Sequence, residues 1–398
     1  MSRANAVISA VHVRRNPAQI TLLVLVCVLC IMGVIMIADT TYPLHKAVGT
    51  TFWSVALKPT LGLLAGLAAM AIAYMVTHRL LRRIAMPAFW LSFGLLCLVL
   101  VSKHFAKHEL NASRWLKFGP VTFQPSEIAK LTLILFIAHM LSRPDCKIQE
   151  KFRGLFAPLI AGGLCIVTVL LEPDLGTSVV MFATLLALLY TAGANIKHLA
   201  VIVIVLTSIV GVKLHDKQMD RINVFTGQNS DKQGASYETY QSWLAVGTGK
   251  MFGLGLGRGR GKFFIPQAND DYIFTTIAEE FGFVGSTVAL VIFGTIGLCG
   301  IVIARQASDT FSRLVATGIT VQISIQALIN IGVVIGMVPS TGLPLPFVSN
   351  GLTSLFVSMI SAGLLLRIAE SSGQVRNPTR EEEKRVISTP GTAIRLSL

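Results

Sequence analysis

Charged residues are scarce in this chain of 398 residues. Asp, Glu, Lys and Arg together account for only 14% of it, whereas 53% is hydrophobic and the mean hydropathy is +0.67. A water-soluble protein carries roughly a quarter charged residues. The shortage of charge therefore excludes a soluble globular protein and indicates an integral membrane protein with several spans.

Acidic residues are the scarcer of the two charge types. The chain has 20 Asp and Glu against 34 Lys and Arg, which gives a formal net charge of +14. In so hydrophobic a chain, excess Lys and Arg are typical of cytoplasmic loops and of contacts with anionic lipid. We therefore expect no nucleic acid among the partners.

Cysteines are few, and five of the six lie in apolar runs, where they act as small hydrophobes. Cys27 and Cys30 form a C-x-x-C inside a predicted span, without His or Asp neighbours, so we expect neither a redox nor a metal role. A small-residue cleavage site is also missing after the arginines that precede the first apolar run. The N-terminus is thus predicted to be a signal anchor.

Apolar runs on the scale of a membrane span, about 20 residues, recur ten times. They predict an all-α polytopic membrane protein with ten transmembrane helices and a large extracytoplasmic loop, 213–275, before the eighth. The domain prediction is a segment 1–17, a membrane domain 18–369 and a disordered tail 370–398. The predicted spans are 18–38, 54–76, 86–102, 127–142, 155–171, 176–193, 197–212, 276–304, 311–337 and 351–369.

Basic residues concentrate in the loops on one side, which the positive-inside rule makes the cytoplasm, with both termini there. Segment 103–126 departs from the rule, because it carries Lys103, Lys107, Arg114 and Lys117 on the predicted outer side. Two explanations stay open at this point. The charges bind an anionic ligand, or they contact lipid headgroups.

The long outer loop has residues enough to pack. Its stretch Tyr237–Val246 predicts an amphipathic helix at the membrane interface. A glycine series follows, and such a run can bring backbone N–H groups and cations close to a phosphate; a flexible linker is the alternative. The G-x-G-x-x-G match within it has no preceding strand, so we do not interpret it as a dinucleotide site. The cations in this series are Lys250, Arg258, Arg260 and Lys262.

Two pairs of acids stand at the boundary of the eighth span, in "NDDYIFTTIAEEFG". Asp271 and Glu279 fall near one helix face, and capping of the helix explains Asp270. Glu279 and Glu280, at a bilayer edge, should be paired or face a cavity. A carboxylate beside a partly dehydrated, cation-lined surface is a candidate for proton abstraction.

Three more segments face the same side. Asp174 follows Pro173 in a tight turn that we expect to cap the next helix. Glu127 and Lys130 are spaced to pair on one helix face, with a snorkelling interfacial pair as the alternative. Segment 337–351, broken by Pro and Gly, must line protein or a water-filled cavity.

These motifs resemble the SEDS family (shape, elongation, division and sporulation) of bacterial membrane glycosyltransferases, in order from about residue 20 to 369. The resemblance rests on "SRW…FQPSEIAKL", "EPDLGT", "GASYETYQSWLAVGTGKMFGLGLG", "IPQANDDYIFTTIAEEFGFVG" and "QALINIGVVIGMVPSTGLPLPFVSNG". It implies polymerisation of peptidoglycan from lipid II. The division and sporulation branches are the most similar, and the elongation branch is the alternative.

The resemblance also assigns roles. Asp271 stands at the family's essential outer-loop aspartate and is the expected general base, although Gln267, Asn269, Asp270 and Tyr272 depart from the usual motif. Asp270 beside it either raises the pKa of Asp271 or shares its role. The expected substrate site is Arg114, Trp115, Gln124, Glu127, Lys130, Asp174, Gln241, Ser242, Arg258, Arg260, Lys262, Glu280, Gln326 and Asn330.

The implied reaction moves the reducing-end sugar of the growing glycan onto the hydroxyl of an incoming lipid II, releasing polyprenyl diphosphate. It asks for a base at the hydroxyl and positive charge at the diphosphate, with Mg²⁺ or Mn²⁺ as an expected cofactor. The expected partners are a class B penicillin-binding protein and other proteins of the division or elongation complex. A lipid II flippase and a non-catalytic scaffold are the alternative functions.

Overall fold

The computed structural model describes residues 17–46, 52–105, 115–118, 121–144, 152–212, 237–265 and 268–375. The segment before residue 17, most of the outer loop's first half, Arg114, Gln267 and the tail from 376 lie outside this description. The predictions made for them stay predictions.

Eleven α-helices account for most of the described chain, and ten of them overlap the ten predicted spans. The eleventh, α8, lies within the predicted outer loop. The all-α prediction is thereby confirmed. The helices are α1 (Pro17–Lys46), α2 (Phe52–Met75), α3 (His78–Phe105), α4 (Pro125–Leu141), α5 (Phe152–Leu171), α6 (Leu175–Thr191), α7 (Ile196–Val212), α8 (Tyr237–Gly249), α9 (Ile273–Gln306), α10 (Thr310–Val334) and α11 (Leu352–Val375).

Among the residues that the structure describes, seven helices are long and apolar enough to cross a membrane, and α6 is a shorter apolar helix; the seven are α1, α2, α3, α5, α9, α10 and α11. These helices, with their long hydrophobic stretches, make the chain an integral membrane protein. The count of ten spans is not settled by length and composition, so it stays a prediction.

Helix α4 lies at the centre of the bundle. It packs against α3, α5, α6, α10 and α11, and its residues are buried along almost the whole helix. A helix that is apolar on every side is buried in this way. Two charged residues in its first two turns, Glu127 and Lys130, are therefore carried into the protein interior.

A short antiparallel hairpin precedes α4 and is an addition to the predicted all-helical fold. Strand β1 (Leu116–Phe118) pairs with β2 (Val121–Phe123), with Leu116 opposite Phe123. The hairpin brings Trp115, just before β1, close to Gln124, just after β2, at the N-terminus of α4.

The segment between α10 and α11 has no helix and packs inside the protein. Leu343, Leu345, Phe347 and Val348 are all at most 3% exposed. The backbone of Val348 lies so close to Gly33 of α1 that a Cβ at position 33 would stand 2.8 Å from the Val348 carbonyl oxygen. The prediction that this Pro- and Gly-broken segment lines protein is confirmed.

Candidate active site

Helix α9 is broken at Gly282, in its N-terminal third. Gly282 has φ 66° and ψ −160°, a conformation that glycine adopts without steric cost. The loop that follows α8 pairs with the break on both sides. Leu254 and Gly255 donate backbone hydrogen bonds of 3.0 Å to the carbonyls of Glu279 and Glu280. On the other side, the N–H groups of Phe283 and Val284 donate to Lys250 and Met251, at 2.9 and 3.1 Å.

The glycine-rich part of this loop wraps around the side chains of Glu279 and Glu280. Gly257 and Gly259 donate backbone N–H bonds of 3.1 Å to the Glu280 carboxylate. The N–H of Arg260 donates to Oε1 of Glu279 at 2.8 Å, and that of Gly261 to Oε2 at 2.9 Å. The amides do form an anion-binding cradle, but its anions are the protein's own carboxylates.

Lys262 completes this buried cluster. Its Nζ lies 3.0 Å from Oε1 of Glu280 and 2.6 Å from Oδ2 of Asp39 on α1. Glu279, Glu280 and Lys262 are at most 4% exposed. The expectation that Glu279 and Glu280 are paired is thus confirmed. The expectation that Lys262 and Glu280 face a substrate needs correction, because their charges are committed to each other.

The arginines of the same loop differ from Lys262. Arg258 and Arg260 both have exposed side chains, so their guanidinium groups are available to a ligand at the protein surface. Among the described residues of this loop, Arg258 and Arg260 are the predicted diphosphate-binding cations that remain accessible. Lys250, another cation of the glycine series, is also exposed.

Helix α8 covers the first half of α9 and confirms the helix expected at Tyr237–Val246. Ser242 is buried, and its hydroxyl lies 2.7 Å from that of Thr275. Ser242 therefore joins two helices, which differs from the expected contact with substrate, whereas Gln241 is half-buried. An apolar cavity of about 280 Å³ opens beside these helices, with Phe274 and Ile331 in its lining.

Asp270 and Asp271 lie in a turn just before α9. Tyr272 is the N-cap residue and makes no side-chain cap hydrogen bond, so the capping role expected for Asp270 is wrong. Asp270 is exposed and Asp271 half-buried. The surrounding protein nevertheless raises the pKa of Asp270 by desolvation.

The backbone of this turn is held by three hydrogen bonds from other elements. Asn330 on α10 donates from Nδ2 to the carbonyl of Asp271 at 2.8 Å. Ser349 donates from Oγ to the carbonyl of Asp270 at 2.6 Å. The N–H of Asn350 donates to the carbonyl of Asn269 at 3.1 Å. The candidate catalytic turn is therefore tied to α10 and to the segment before α11.

The predicted pair of Glu127 and Lys130 is confirmed, with Nζ and Oε1 2.9 Å apart and side chains 1% and 2% exposed. Such burial rules out a snorkelling interfacial pair. Lys130 also donates to Oε1 of Gln326 at 2.7 Å, and Gln326 donates from Nε2 to the carbonyl of Pro344 at 2.8 Å. These side chains bind one another across α4, α10 and the segment before α11.

Asp174 caps α6, as expected, by accepting the N–H of Thr177 at 3.1 Å. Gln124 is half-buried and donates from Nε2 to Oδ2 of the same aspartate at 3.3 Å. Trp115 is 37% exposed at the start of β1. The structure thus brings Gln124 and Asp174 together beside α4.

Sequence reasoning missed three residues that shape the site. Ser349 lies within the last of the motifs that carry the family resemblance, but nothing in that motif distinguishes it from its neighbours. Gly282 could have been suspected from its place directly after two acids in an apolar run. Asp39 could have been found as the lone acid near the end of the first predicted span, because an ionisable residue in such a place needs a partner.

A metal site made by the protein alone is not found among the described residues, where no group of three or more His, Cys, Asp or Glu side chains is arranged to hold a metal ion. The cluster of Asp39, Glu279 and Glu280 already contains the ammonium of Lys262, so it fits a metal ion poorly. Mg²⁺ is often bound by one or two carboxylates together with substrate phosphates, so a Mg²⁺ site in this protein would have to be completed by the phosphates of a substrate.

Known proteins are similar in sequence to most of this chain. The chain is 34% identical over 315 residues to the probable peptidoglycan glycosyltransferase FtsW of Geobacter sp. (strain M18), which covers 78% of this chain and 86% of that protein. It is 38% identical over 266 residues to the stage V sporulation protein E of Bacillus subtilis (strain 168), covering 66% and 73%.

Solved structures agree with these relatives. A chain described under "Structural coordination of polymerization and crosslinking by a peptidoglycan synthase complex" is 26% identical with a TM-score of 0.71, over 88% of this chain and 97% of that one. The rod shape determining protein RodA of Thermus thermophilus is 25% identical with a TM-score of 0.64, over 87% and 95%. The family model for the cell cycle proteins FtsW, RodA and SpoVE matches residues 20–374, and the chain belongs to this family.

Proposed function

We propose that this chain is a peptidoglycan glycosyltransferase that polymerises lipid II at the outer face of the cytoplasmic membrane during cell division. The carrying observation is the placement of Asp271. It is partly exposed just before the start of α9, and buried side chains of two other elements hold the carbonyls of Asp270 and Asp271. Membership of the FtsW, RodA and SpoVE family supports the same reading.

In the proposed reaction Asp271 accepts the proton of a sugar hydroxyl on the incoming lipid II. The hydroxyl oxygen forms a bond to the anomeric carbon at the reducing end of the growing strand. The bond from that carbon to the diphosphate oxygen breaks, and polyprenyl diphosphate leaves with the electron pair. A base within hydrogen-bond reach of the hydroxyl contributes typically 10²- to 10⁴-fold to such a step.

The leaving diphosphate needs positive charge. The structure commits Lys130 and Lys262 to buried ion pairs. We therefore assign this role to the exposed Arg258 and Arg260 and, by family resemblance, to Arg114. A divalent cation would supply charge of the same kind, and the exposed Asp270 would help to hold it.

The apolar cavity beside α8 and α9 suits part of a polyprenyl chain, because Phe274, Phe283, Leu290 and Ile331 line it. The proposed orientation places both termini in the cytoplasm and the α8–α9 region outside, as the distribution of Lys and Arg predicts. A class B penicillin-binding protein is the proposed partner, and the solved complex of polymerisation and crosslinking supports it.

A lipid II transporter is the main alternative, since helix breaks such as that at Gly282 also occur at transporter binding sites. The full chain, purified in detergent, separates the two functions because no bilayer is then present to flip across. We expect the chain to make glycan polymer from lipid II both alone and with the partner present. Absence of polymer in both conditions, together with lipid II transport in vesicles, would support the transporter instead.

Division and elongation are separated by location. We propose division or sporulation because the FtsW and SpoVE relatives are 34% and 38% identical, whereas the solved RodA is 25% identical. A fluorescent fusion in growing cells should concentrate at septa. An even distribution along the side wall would favour the elongation role.

A further inference from the structure

Two consecutive backbone carbonyls, those of Asp270 and Asp271, each accept a hydrogen bond from a buried side chain. The donors are Ser349 Oγ at 2.6 Å and Asn330 Nδ2 at 2.8 Å. The two side chains are 5% and 1% exposed. Fixing two successive carbonyl directions restricts the backbone from which the carboxylate of Asp271 extends.

The donors themselves are held by further bonds. Nδ2 of Asn330 also donates to the carbonyl of Leu343 at 2.7 Å, and Oγ of Ser349 accepts the N–H of Leu345 at 2.8 Å. The carbonyl of Pro344, between these two residues, accepts the bond from Gln326. Segment 343–349 is thus pinned at three successive residues, and it carries Ser349 to Asp270.

The buried ion pair is the far end of the same network. Lys130 bonds both Glu127 and Gln326, and the amide of Gln326 uses its oxygen for Lys130 and its nitrogen for Pro344. Lys130, Gln326 and Asn330 are all at most 2% exposed. The donor groups that could have met a substrate are therefore directed to protein atoms.

We infer that Lys130, Gln326, Asn330 and Ser349 are positioning residues for Asp271 and do not bind substrate. The inference rests on the proposed function, since it assumes that Asp271 is the base. It replaces the substrate contacts that the sequence predicts for Lys130, Gln326 and Asn330. The network determines where the carboxylate of Asp271 lies relative to the sugar hydroxyl.

The two roles have different kinetic consequences. Loss of a substrate contact weakens binding and raises KM, whereas misplacement of a base lowers kcat. A displacement of about 1 Å in a catalytic site can cost about 100-fold in rate. We therefore expect removal of either donor to the Asp270–Asp271 turn to act on kcat.

The test measures kcat and KM for lipid II polymerisation by the purified full chain, with a thermal melt of each variant. Ser349→Ala removes one hydroxyl and leaves the packing nearly unchanged, and Asn330→Leu removes the amide. The matched control is Gln322→Leu, since Gln322 is a buried amide on α10, 4% exposed, and it makes no described hydrogen bond to this network.

We expect both network variants to lose at least about tenfold in kcat, with KM changed less than about threefold, and the control to keep its kcat. Ser349→Ala is the decisive variant if Asn330→Leu does not fold. A raised KM with unchanged kcat would overturn the inference in favour of substrate binding. If wild type is active and the variants keep its kinetics, only this inference is overturned. If wild type itself makes no polymer, the proposed function is overturned as well.

Discussion

The ammonium of Lys262 lies 3.0 Å from the carboxylate of Glu280, and both side chains are almost completely buried. The lysine also reaches Asp39 of α1 at 2.6 Å. One cation thus joins the outer loop to two helices that are far apart in the sequence. The loop's backbone amides also donate to the Glu280 carboxylate, so a charged cluster holds this loop against α9.

Lys262→Met should destabilise the protein strongly. The substitution leaves Glu280 and Asp39 without their cation, and breaking one partner of a buried ion pair costs about 3–5 kcal/mol. A thermal melt in detergent measures the effect. Arg260→Met is the control, because that side chain is exposed and its N–H bond to Glu279 survives. Equal melting temperatures for the two variants would show that the cluster is not structural.

Gly282→Ala should also destabilise the fold. Gly282 has a positive φ of 66°, and a Cβ there would stand 2.7 Å from the carbonyl oxygen of Met251 and against the backbone nitrogen of Gly253. Gly294→Ala is the matched control in the same helix, since nothing lies within 4 Å of its added Cβ. In a helix interior, Gly to Ala is favourable by about 1 kcal/mol. The melting temperature should fall for the first variant and stay level or rise for the second.

Asp174→Ala should cost about 1 kcal/mol of stability, the usual value for a lost helix cap. The carboxylate accepts the N–H of Thr177 and the amide of Gln124. Asp174→Asn keeps one acceptor oxygen and should retain most of the stability. Denaturant unfolding of the two variants checks this order. If Asn proves as harmful as Ala, the negative charge matters more than the cap.

The pH dependence of stability should change in Asp270→Asn. Desolvation raises the pKa of Asp270 above its ordinary 3.8, so folding favours the protonated form. Its contribution is fully present below the ordinary pKa and is lost as pH rises through the raised value. The variant should therefore gain melting temperature relative to wild type at neutral pH and match it in acid. A difference in melting temperature that stays constant across pH would contradict this assignment. Retained polymerisation by Asp270→Asn would show that Asp270 does not share the role of Asp271.

Local spacing predicted the parts of the site that lie within one element. Glu127 and Lys130 are three residues apart on one helix, and their pair is present. Asp174 stands before a helix and caps it. In both cases the geometry of a single helix decides which groups meet, so the sequence contains the information.

Contacts between elements that are distant in the sequence could not be predicted from it. Asn330 and Asp271 are 59 residues apart, and Ser349 and Asp270 are 79 apart. Backbone acceptors carry no residue-specific pattern, so nothing in the chain indicates which carbonyl a buried amide will find. The glycine-rich loop shows the same limit. Its composition correctly indicated an anion-binding cradle, but the anions are Glu279 and Glu280.

Polymerisation of lipid II by purified Asp271→Asn, beside wild type and with melting temperatures for both, tests the assignment of the base most directly. Asn keeps the size of the side chain and the backbone carbonyl that Asn330 holds, but it cannot accept the proton of the sugar hydroxyl. We predict a folded protein with wild-type melting behaviour and no glycan polymer. Normal polymer formation by this folded variant would contradict the assignment of Asp271 as the base.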